Sequence, residues 1–449
     1  MDKPKLVLVG NGMAGVRALE ELLKIAPDLY DITVFGAEPH PNYNRIMLSP
    51  VLMGEQTLDD IVLNDVDWYA AHGIRLLLNR TVTRIDRARR LVHADDGTAV
   101  PYDRLLLATG SSPFVLPVPG HDLHGVISFR DIQDVQRMIA ASAKGGHAVV
   151  IGGGLLGLEA ASGLAARGMQ ASVVHLGATL LDRQLDVTAA GLLRATLETR
   201  GLEFLMARQT DAMLGDEQGH VRAVRFKDGT EVPADLVVMA VGIRPNVALA
   251  TSCGLHVDRG IVVSDTLQTY DPCIYAVGEC VSHRGVAYGL VAPLYEQARV
   301  AANHLAQVGS GRYPGSVLST KLKVTGIDVF SAGDFVGGAD TETITLADPL
   351  AGVYKKLVLK GDRLVGACLY GDTADGPWYF RLIREGRDVG DLRDQLMGGE
   401  DAANDAAAAV ASADAVVLAD AVVSADAVAA TVATAGAVAW PSNSTLRAA

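Results

Sequence analysis

The chain has 449 residues, too many for one ordinary core, so two or three domains are expected. Its hydrophobic content of 49% is enough for sizeable cores, which aromatics at only 5% leave to aliphatic and small side chains. A net charge of −13 argues against a nucleic-acid binder, which needs a basic surface, and is read as solubility. The cysteines are Cys253, Cys273, Cys280 and Cys368; they form no C-x-x-C pair, and no Cys/His cluster has zinc or iron–sulfur spacing. Neither a redox-active disulfide nor a metal site is therefore expected. No apolar run reaches the ~20 residues of a membrane helix. No secretory leader is visible, so a cytoplasmic protein with no membrane partner is expected.

Leu6 to Val9 is a short continuous apolar run, the pattern of a parallel strand covered on both faces. Gly10, Gly12 and Gly15 follow at G-x-G-x-x-G spacing, with a helix predicted over 16–25. The first glycine permits the tight turn, the second lets backbone approach a pyrophosphate, and the third lets helix pack on strand. Asp31 to Gly36 reads as the next strand, with Glu38 placed just past its end to accept from a ribose hydroxyl. The Pro39–Pro50 loop carries Arg45, whose planar fork suits a pyrophosphate. Residues 74–107 read as a β-rich excursion with a hairpin turn at Asp96-Gly97. Arg104 to Leu107 is then a buried strand ending in Thr109-Gly110, on the side where doubly wound sheets bind ligands.

A second copy follows. Ala148 to Ile151 leads into Gly152, Gly154 and Gly157 at the same spacing, and a helix is predicted to about Arg167. Two strand–turn–helix units about 140 residues apart imply two dinucleotide sites, and the doubling is far more specific than either copy. One nucleotide can be a tightly held redox group and the other a diffusible hydride donor. At the end of the second unit's next strand stands His175 in place of an acid, with Arg183 a few residues on, which leaves NADH and NADPH both open. Asp228-Gly229 is another hairpin turn, and a buried strand over 234–242 closes the unit before Arg244-Pro245-Asn246. Ile274 to Glu279 is one more strand, with Gly278 and Glu279 at its carboxyl end. A helix opens at Pro293 and runs to about Gln307; its positive end suits negative charge on a reduced ring.

Residues 313–400 change character. Strands are predicted over 318–330, 341–346, 353–359 and 363–369, then a helix with Trp378, Phe380, Leu382 and Ile383, giving a small α+β domain. It holds no nucleophile–base constellation, so an interface role, with a homodimer as one arrangement, is its default. From Asp401 the chain is alanine-dominated, with near-copies of a hexad at 413–418, 419–424 and 425–430. A six-residue period builds no continuous helical face, so this is expected to be a low-complexity tail.

With both fingerprints, Ala108-Thr109-Gly110 and Tyr275-Ala276-Val277-Gly278-Glu279 in hand, the chain resembles the FAD-dependent pyridine nucleotide-disulfide oxidoreductases of glutathione-reductase-like fold. Within them it is similar to the flavin module of the assimilatory NAD(P)H nitrite reductase large subunit and to nitrate-assimilation electron-transfer subunits. Pro39 to Arg45 with Leu48-Ser49-Pro50, Val174-His175-Leu176 with Arg183 to Asp186, Ala276 to Cys280 with His283-Arg284-Gly285, and Ser319 to Lys323 carry this likeness. The resemblance implies an α/β chain with two Rossmann-like dinucleotide-binding domains. The FAD-binding domain would span 1–117 and 244–309, the NAD(P)-binding domain 118–243, a C-terminal α+β interface domain 310–400 and the tail 401–449. It implies FAD on Gly10, Gly12, Gly15, Glu38, Arg45, Thr109, Gly110, Gly278 and Glu279. It implies NAD(P)H on Gly152, Gly154, Gly157 and His175, with Glu159 as the catalytic-side residue near the nicotinamide–flavin contact.

Electrons would pass to a redox partner protein, an iron–sulfur or nitrite/nitrate reductase component. A ferredoxin or rubredoxin reductase, or a flavin-binding sensor, are the alternatives. Three departures accompany the likeness. The nitrite reductase large subunit continues into cluster and sirohaem domains, and here the hexad tail stands where the first would begin, so no nitrite reduction is expected of this sequence alone. Related ferredoxin and rubredoxin reductases often carry a lysine at the place of Pro50, able to pair with the glutamate at 159. Disulfide and peroxide reductases of the fold carry a cysteine in the Arg45–Pro50 region, where none stands here.

Overall fold

The computed structural model describes residues 3–324 and 326–405; the predicted tail hexads lie outside the described residues. The chain divides into two compact units between Gly333 and Asp334.

Two parallel five-stranded sheets of the same plan organise the first unit. In the first, Lys5–Val9 is central, with Asp31–Phe35 and then Arg75–Leu77 on one side. Arg104–Leu107 and Ile274–Ala276 lie on the other. In the second sheet His147–Ile151 is central, flanked by Gln170–His175 and Leu202–Met206, and on the other side by Leu236–Met239 and Val126–Ser128. The apolar runs that predict the two central strands are buried along their length. Each sheet carries a three-stranded antiparallel excursion: Val82–Asp86, Leu91–Ala94 and Ala99–Pro101 in one, Thr210–Gly215, Val221–Phe226 and Glu231–Pro233 in the other.

Each central strand runs into a glycine turn and a helix, Met13–Ile25 in the first copy and Leu155–Ala166 in the second. Both helices begin at the turn, a few residues before the point predicted for the first. Gly10 and Gly152 have φ of +111° and +126°, and a Cβ at either would stand 2.1 or 2.2 Å from the carbonyl oxygen of Ala108 or Ala240. Only glycine fits there, because the turn folds back on the end of the neighbouring strand. The helix Leu155–Ala166 is apolar apart from Glu159 and Ser162, with Leu158, Ala160, Ala161 and Leu164 fully buried. It is covered by its own sheet and by a short helix, Leu48–Met53, of the first copy. A two-stranded antiparallel link, Ser111–Pro113 with Ile243–Pro245, carries the chain between the two sheets. The helix Val291–Leu305 packs against Met13–Ile25.

The strand predicted over 318–330 is two strands, Ser319–Val324 and Ile327–Gly333, paired as an antiparallel hairpin through Gly326. The compact division falls after this hairpin, between Gly333 and Asp334. The second unit holds an antiparallel meander, Glu342–Asp348, Val353–Lys360 and Arg363–Tyr370, followed by the helix Gly376–Glu385. No helix among the described residues is long and apolar enough to cross a membrane.

Candidate active site

One cavity of about 1000 Å³ lies in the first unit, at the carboxyl ends of the first sheet's strands. Gly10, Asn11 and Gly12 form part of its wall, and Leu155, Leu156 and Glu159 from the second copy's helix form another part. Glu38, Arg45, Thr109, Gly110, Gly278 and Glu279 line it as well. Most of the predicted site residues therefore share one space, although they come from five separate stretches of chain.

The first turn is held from behind. Tyr69 donates its hydroxyl to Asn11 Oδ1 at 2.6 Å, and Asn42 Nδ2 donates to the Asn11 carbonyl at 3.0 Å. Burial pushes the Tyr69 phenol well above its ordinary range, so it remains a donor. At Gly12 a Cβ would meet nothing within 4 Å, which leaves the turn's face open to the cavity. Gly15 does not line the cavity; a Cβ there would stand 2.8 Å from Ala108 Cβ and from the Gly10 carbonyl oxygen, so it serves helix–strand packing.

Two half-buried carboxylates are paired at the rim. Glu38 accepts from Arg45 Nη2 and from the Tyr43 hydroxyl, the latter at 2.7 Å. Burial raises the Tyr43 phenol far above its usual value, against the opposing pull of the Arg45 cation, which keeps it a donor to Glu38. Arg45 also donates through Nη1 to the Arg130 carbonyl at 3.1 Å and stands 5.1 Å from the Tyr43 ring centre. Glu279 accepts from Arg130 Nη2 and from Ser111 Oγ, the latter at 2.7 Å. Arg130 thus links the two carboxylates, one through its backbone and one through its side chain. Sequence reasoning missed Arg130 and gave Ser111 no role. Arg130 follows the strand Val126–Ser128, just before the helix cap Asp131, and the strand-end rule that found Thr109 would have found it too.

Thr109 and Gly110 are tied to the antiparallel link between the two sheets. Thr109 Oγ1 donates to the Asn246 carbonyl at 2.7 Å, Asn246 Nδ2 donates to the Thr109 carbonyl at 2.8 Å, and Asn246 N donates to the Gly110 carbonyl at 2.9 Å. Gly278 N donates to the buried Gln297 Oε1 at 2.9 Å, which fixes the last strand end to the helix Val291–Leu305. The first residues of that helix, Val291 and Ala292, reach the cavity and turn its positive end toward it.

Glu159 receives a hydrogen bond from Ser49 Oγ at 2.5 Å. Burial raises its carboxyl above the ordinary value, and the Ser49 bond draws it partly back. All four cysteines are free thiols, and none lines the cavity.

The second turn stands apart from this cavity: Gly152, Gly154, Gly157 and His175 do not line it. His175 belongs to the turn itself. Its Nδ1 accepts from Gly153 N at 3.1 Å, so Nδ1 is unprotonated and, in the neutral ring, Nε2 carries the hydrogen. A Cβ at Gly153 would stand 2.8 Å from His175 Cγ, so the extra glycine of the second fingerprint makes room for this imidazole. Gly154, like Gly12, has nothing within 4 Å of a Cβ, and a Cβ at Gly157 would stand 1.9 Å from the Gly152 carbonyl oxygen. The two turns thus share one construction: a first and third glycine where a Cβ would collide with neighbouring atoms, and an open second.

Known proteins resemble this chain in sequence and fold. The profile of the pyridine nucleotide-disulphide oxidoreductases matches residues 4–304, and that of the rubredoxin NAD+ reductase C-terminal domain matches residues 319–387. The chain is 55% identical over 389 residues to a nitrite reductase [NAD(P)H] of Bacillus subtilis, covering 87% of this chain and 48% of that protein. It is 48% identical over 397 residues to the assimilatory nitrate reductase electron transfer subunit of Bacillus subtilis, covering 88% of this chain and 51% of the relative. It spans about half the length of both. Among solved structures, the covalent putidaredoxin reductase–putidaredoxin complex superposes with a TM-score of 0.81 at 28% identity, covering 91% of this chain and 99% of that one.

Proposed function

The chain belongs to the pyridine nucleotide-disulphide oxidoreductase family, and from that membership we propose that it carries electrons from NAD(P)H through FAD to a redox partner protein serving nitrite or nitrate assimilation. The observation that carries this reading is that one cavity reaches from the first glycine turn to Glu159 on the second copy's helix. A flavin bound there would meet a nicotinamide presented from the second copy.

The residues present fit a dinucleotide. The open second glycine at Gly12 allows backbone to approach a pyrophosphate, and Glu38 lies along the same wall for a ribose. In this reading Gly10, Gly12, Glu38, Arg45, Thr109, Gly110, Gly278 and Glu279 hold FAD, and Gly15 packs the helix on the strand behind them. Gly152, Gly154, Gly157 and His175 hold the nicotinamide nucleotide, and Glu159 faces the contact between the two. FAD supplies the chemistry when bound: it takes two electrons and a proton as hydride and gives electrons up to an acceptor. The chain's own work is placement. Leu155 and Leu156 give the cavity an apolar wall beside Glu159, Ser49 holds the Glu159 carboxyl by its Oε2, and the helix Val291–Leu305 offers its positive end to negative charge.

Anaerobic titration of the flavin-loaded protein with NADH and with NADPH tests the reading. Bleaching of the flavin by at least one of them is expected, followed by reoxidation with nitrite or nitrate reductase components. A flavin left oxidised by both nucleotides would sink it. A second reading, reduction of rubredoxin or ferredoxin, is favoured by the match of residues 319–387 to the rubredoxin NAD+ reductase C-terminal domain. Comparing reoxidation rates across these carriers decides between the two.

A further inference from the structure

Glu159, Gly163 and Arg167 follow one another at intervals of four along and just past the helix Leu155–Ala166, so they share one face over about 12 Å of helix. Each of the three meets the same short helix, Leu48–Met53. Glu159 accepts from Ser49 Oγ at 2.5 Å. A Cβ at Gly163 would stand 2.7 Å from both Leu52 Cγ and Cδ2, and Leu52 is 0% exposed, so its side chain is pressed directly on the helix backbone. Arg167 donates through Nε to the Leu52 carbonyl and through Nη2 to the Val51 carbonyl at 3.3 Å. Those carbonyls are at the carboxyl end of the short helix, whose negative end favours a cation.

The short helix continues directly from the 3₁₀ turn Arg45–Met47, and Arg45 and Ile46 line the cavity. The long helix supplies Leu155, Leu156 and Glu159 to the same cavity. Two walls of the cavity, one from each glycine-turn unit, are therefore carried by two helices whose separation is set behind the cavity. Leu52, Gly163 and Arg167 do not line it. The Gly163 contact supplies close approach rather than burial, since any larger residue would hold the helices farther apart.

We infer that Gly163 and Arg167 are positioning residues that fix the distance between the flavin wall and the nicotinamide wall of the cavity. This rests on the reductase reading above. Transfer between two bound groups is sensitive to displacements below 1 Å, whereas binding of each group to its own unit is not.

The test uses the full chain with FAD bound, as wild type, Gly163→Ala, Arg167→Ala and Arg167→Lys. Anaerobic stopped-flow reduction over a range of NADH and NADPH concentrations separates the limiting reduction rate from the nucleotide dissociation constant. Gly163→Ala and Arg167→Ala are expected to lower the limiting rate about tenfold or more, with flavin content retained and the dissociation constant within about twofold. Arg167→Lys recovers part of the rate, because an ammonium reaches one carbonyl but cannot fork across two. A second readout needs no turnover: amide hydrogen exchange. Gly54 N donates to the Val51 carbonyl and Glu55 N to the Pro50 carbonyl, at 3.0 and 2.9 Å, and both amides should exchange faster in Arg167→Ala.

Helix propensity alone favours alanine over glycine at 163. A merely structural role for Gly163 therefore predicts an equal or higher melting temperature with an unchanged rate. Unchanged limiting rates in Gly163→Ala and in the Arg167 variants overturn the inference. Should Arg167→Ala fail to fold or to keep FAD, Gly163→Ala and Arg167→Lys decide it by the same criterion. A wild-type flavin that neither nucleotide reduces counts against the reductase reading instead.

Discussion

Ser49 and Glu159 are 110 residues apart in sequence, yet the serine hydroxyl donates to the glutamate at 2.5 Å across the junction of the two glycine-turn units. Among the described residues no ion pair accompanies this bond. A neutral hydroxyl holds this carboxyl, and burial dominates its protonation.

The sign of the resulting pH dependence follows. Burial holds the Glu159 carboxyl above its ordinary 4.5, and the Ser49 bond opposes this only in part. The native state then keeps the proton to higher pH than the unfolded chain does, so Glu159 subtracts stability as pH rises through its raised native value. Glu159→Gln should therefore gain in melting temperature over wild type at pH 8, with the gain shrinking as pH falls through the raised native value and gone by about pH 4.5. Ser49→Ala should cost about 2 kcal/mol at pH 8, because the carboxylate loses a charge-assisted bond. Thermal melts across that range check both; a Glu159→Gln gain that grows toward acid pH would refute the assignment.

Gly10 and Gly12 should separate folding from binding. Gly10→Ala puts a Cβ 2.1 Å from the Ala108 carbonyl oxygen at a φ of +111° and should cost about 3 kcal/mol or more. Gly12→Ala meets no protein atom within 4 Å. It should change the stability of the flavin-free protein by about 1 kcal/mol or less, the scale of a helix N-cap change. Its FAD affinity should still fall about tenfold or more, as a methyl group displaces the pyrophosphate from backbone donors. Chemical denaturation of the flavin-free protein and FAD titration measure the two effects separately.

Arg130 joins the two rim carboxylates and is the residue whose loss should most disturb them. Arg130→Ala leaves the half-buried Glu279 with Ser111 alone and should lower the flavin content of purified protein. Arg130→Lys should restore part of it. Combined with Glu279→Gln, the double variant should lose less than the sum of the single ones, by a coupling of about 1–2 kcal/mol. Additive losses in FAD affinity would mean that the two side chains act independently.

His175 is expected to matter to the nicotinamide nucleotide and not to FAD. His175→Ala removes the acceptor of Gly153 N and the ring that fills the space above that glycine. The dissociation constant for NADH or NADPH should rise about tenfold, with flavin content unchanged. Calorimetric titration of each nucleotide into the flavin-loaded protein checks this; equal affinities in wild type and variant would exclude a role for the ring.

The two glycine turns were legible in the sequence because their requirements are local. A buried strand must end, turn and become a helix within a few residues, and that forces glycine at fixed spacing whatever the rest of the chain does. Glu38, Thr109 and Glu279 were legible for a related reason: each follows an apolar strand, and strand ends on one edge of a parallel sheet point toward the same side.

What the tertiary structure decided is how these pieces meet. Arg130 and Glu279 are 149 positions apart, and no periodicity connects them. The Gly163–Leu52 approach exists only because one copy's helix lies against the other copy's short helix. His175 illustrates both sides. The sequence shows that an acid is missing at that strand end, but only the fold shows the ring bonded back to Gly153, since a side chain's partner is set by which segments are packed together. The predicted strand over 318–330 failed for the same reason: its apolar pattern runs through Gly326, and only the pairing of its two halves reveals the turn. Local backbone chemistry thus determined where nucleotides could bind, and long-range packing determined which wall faces which.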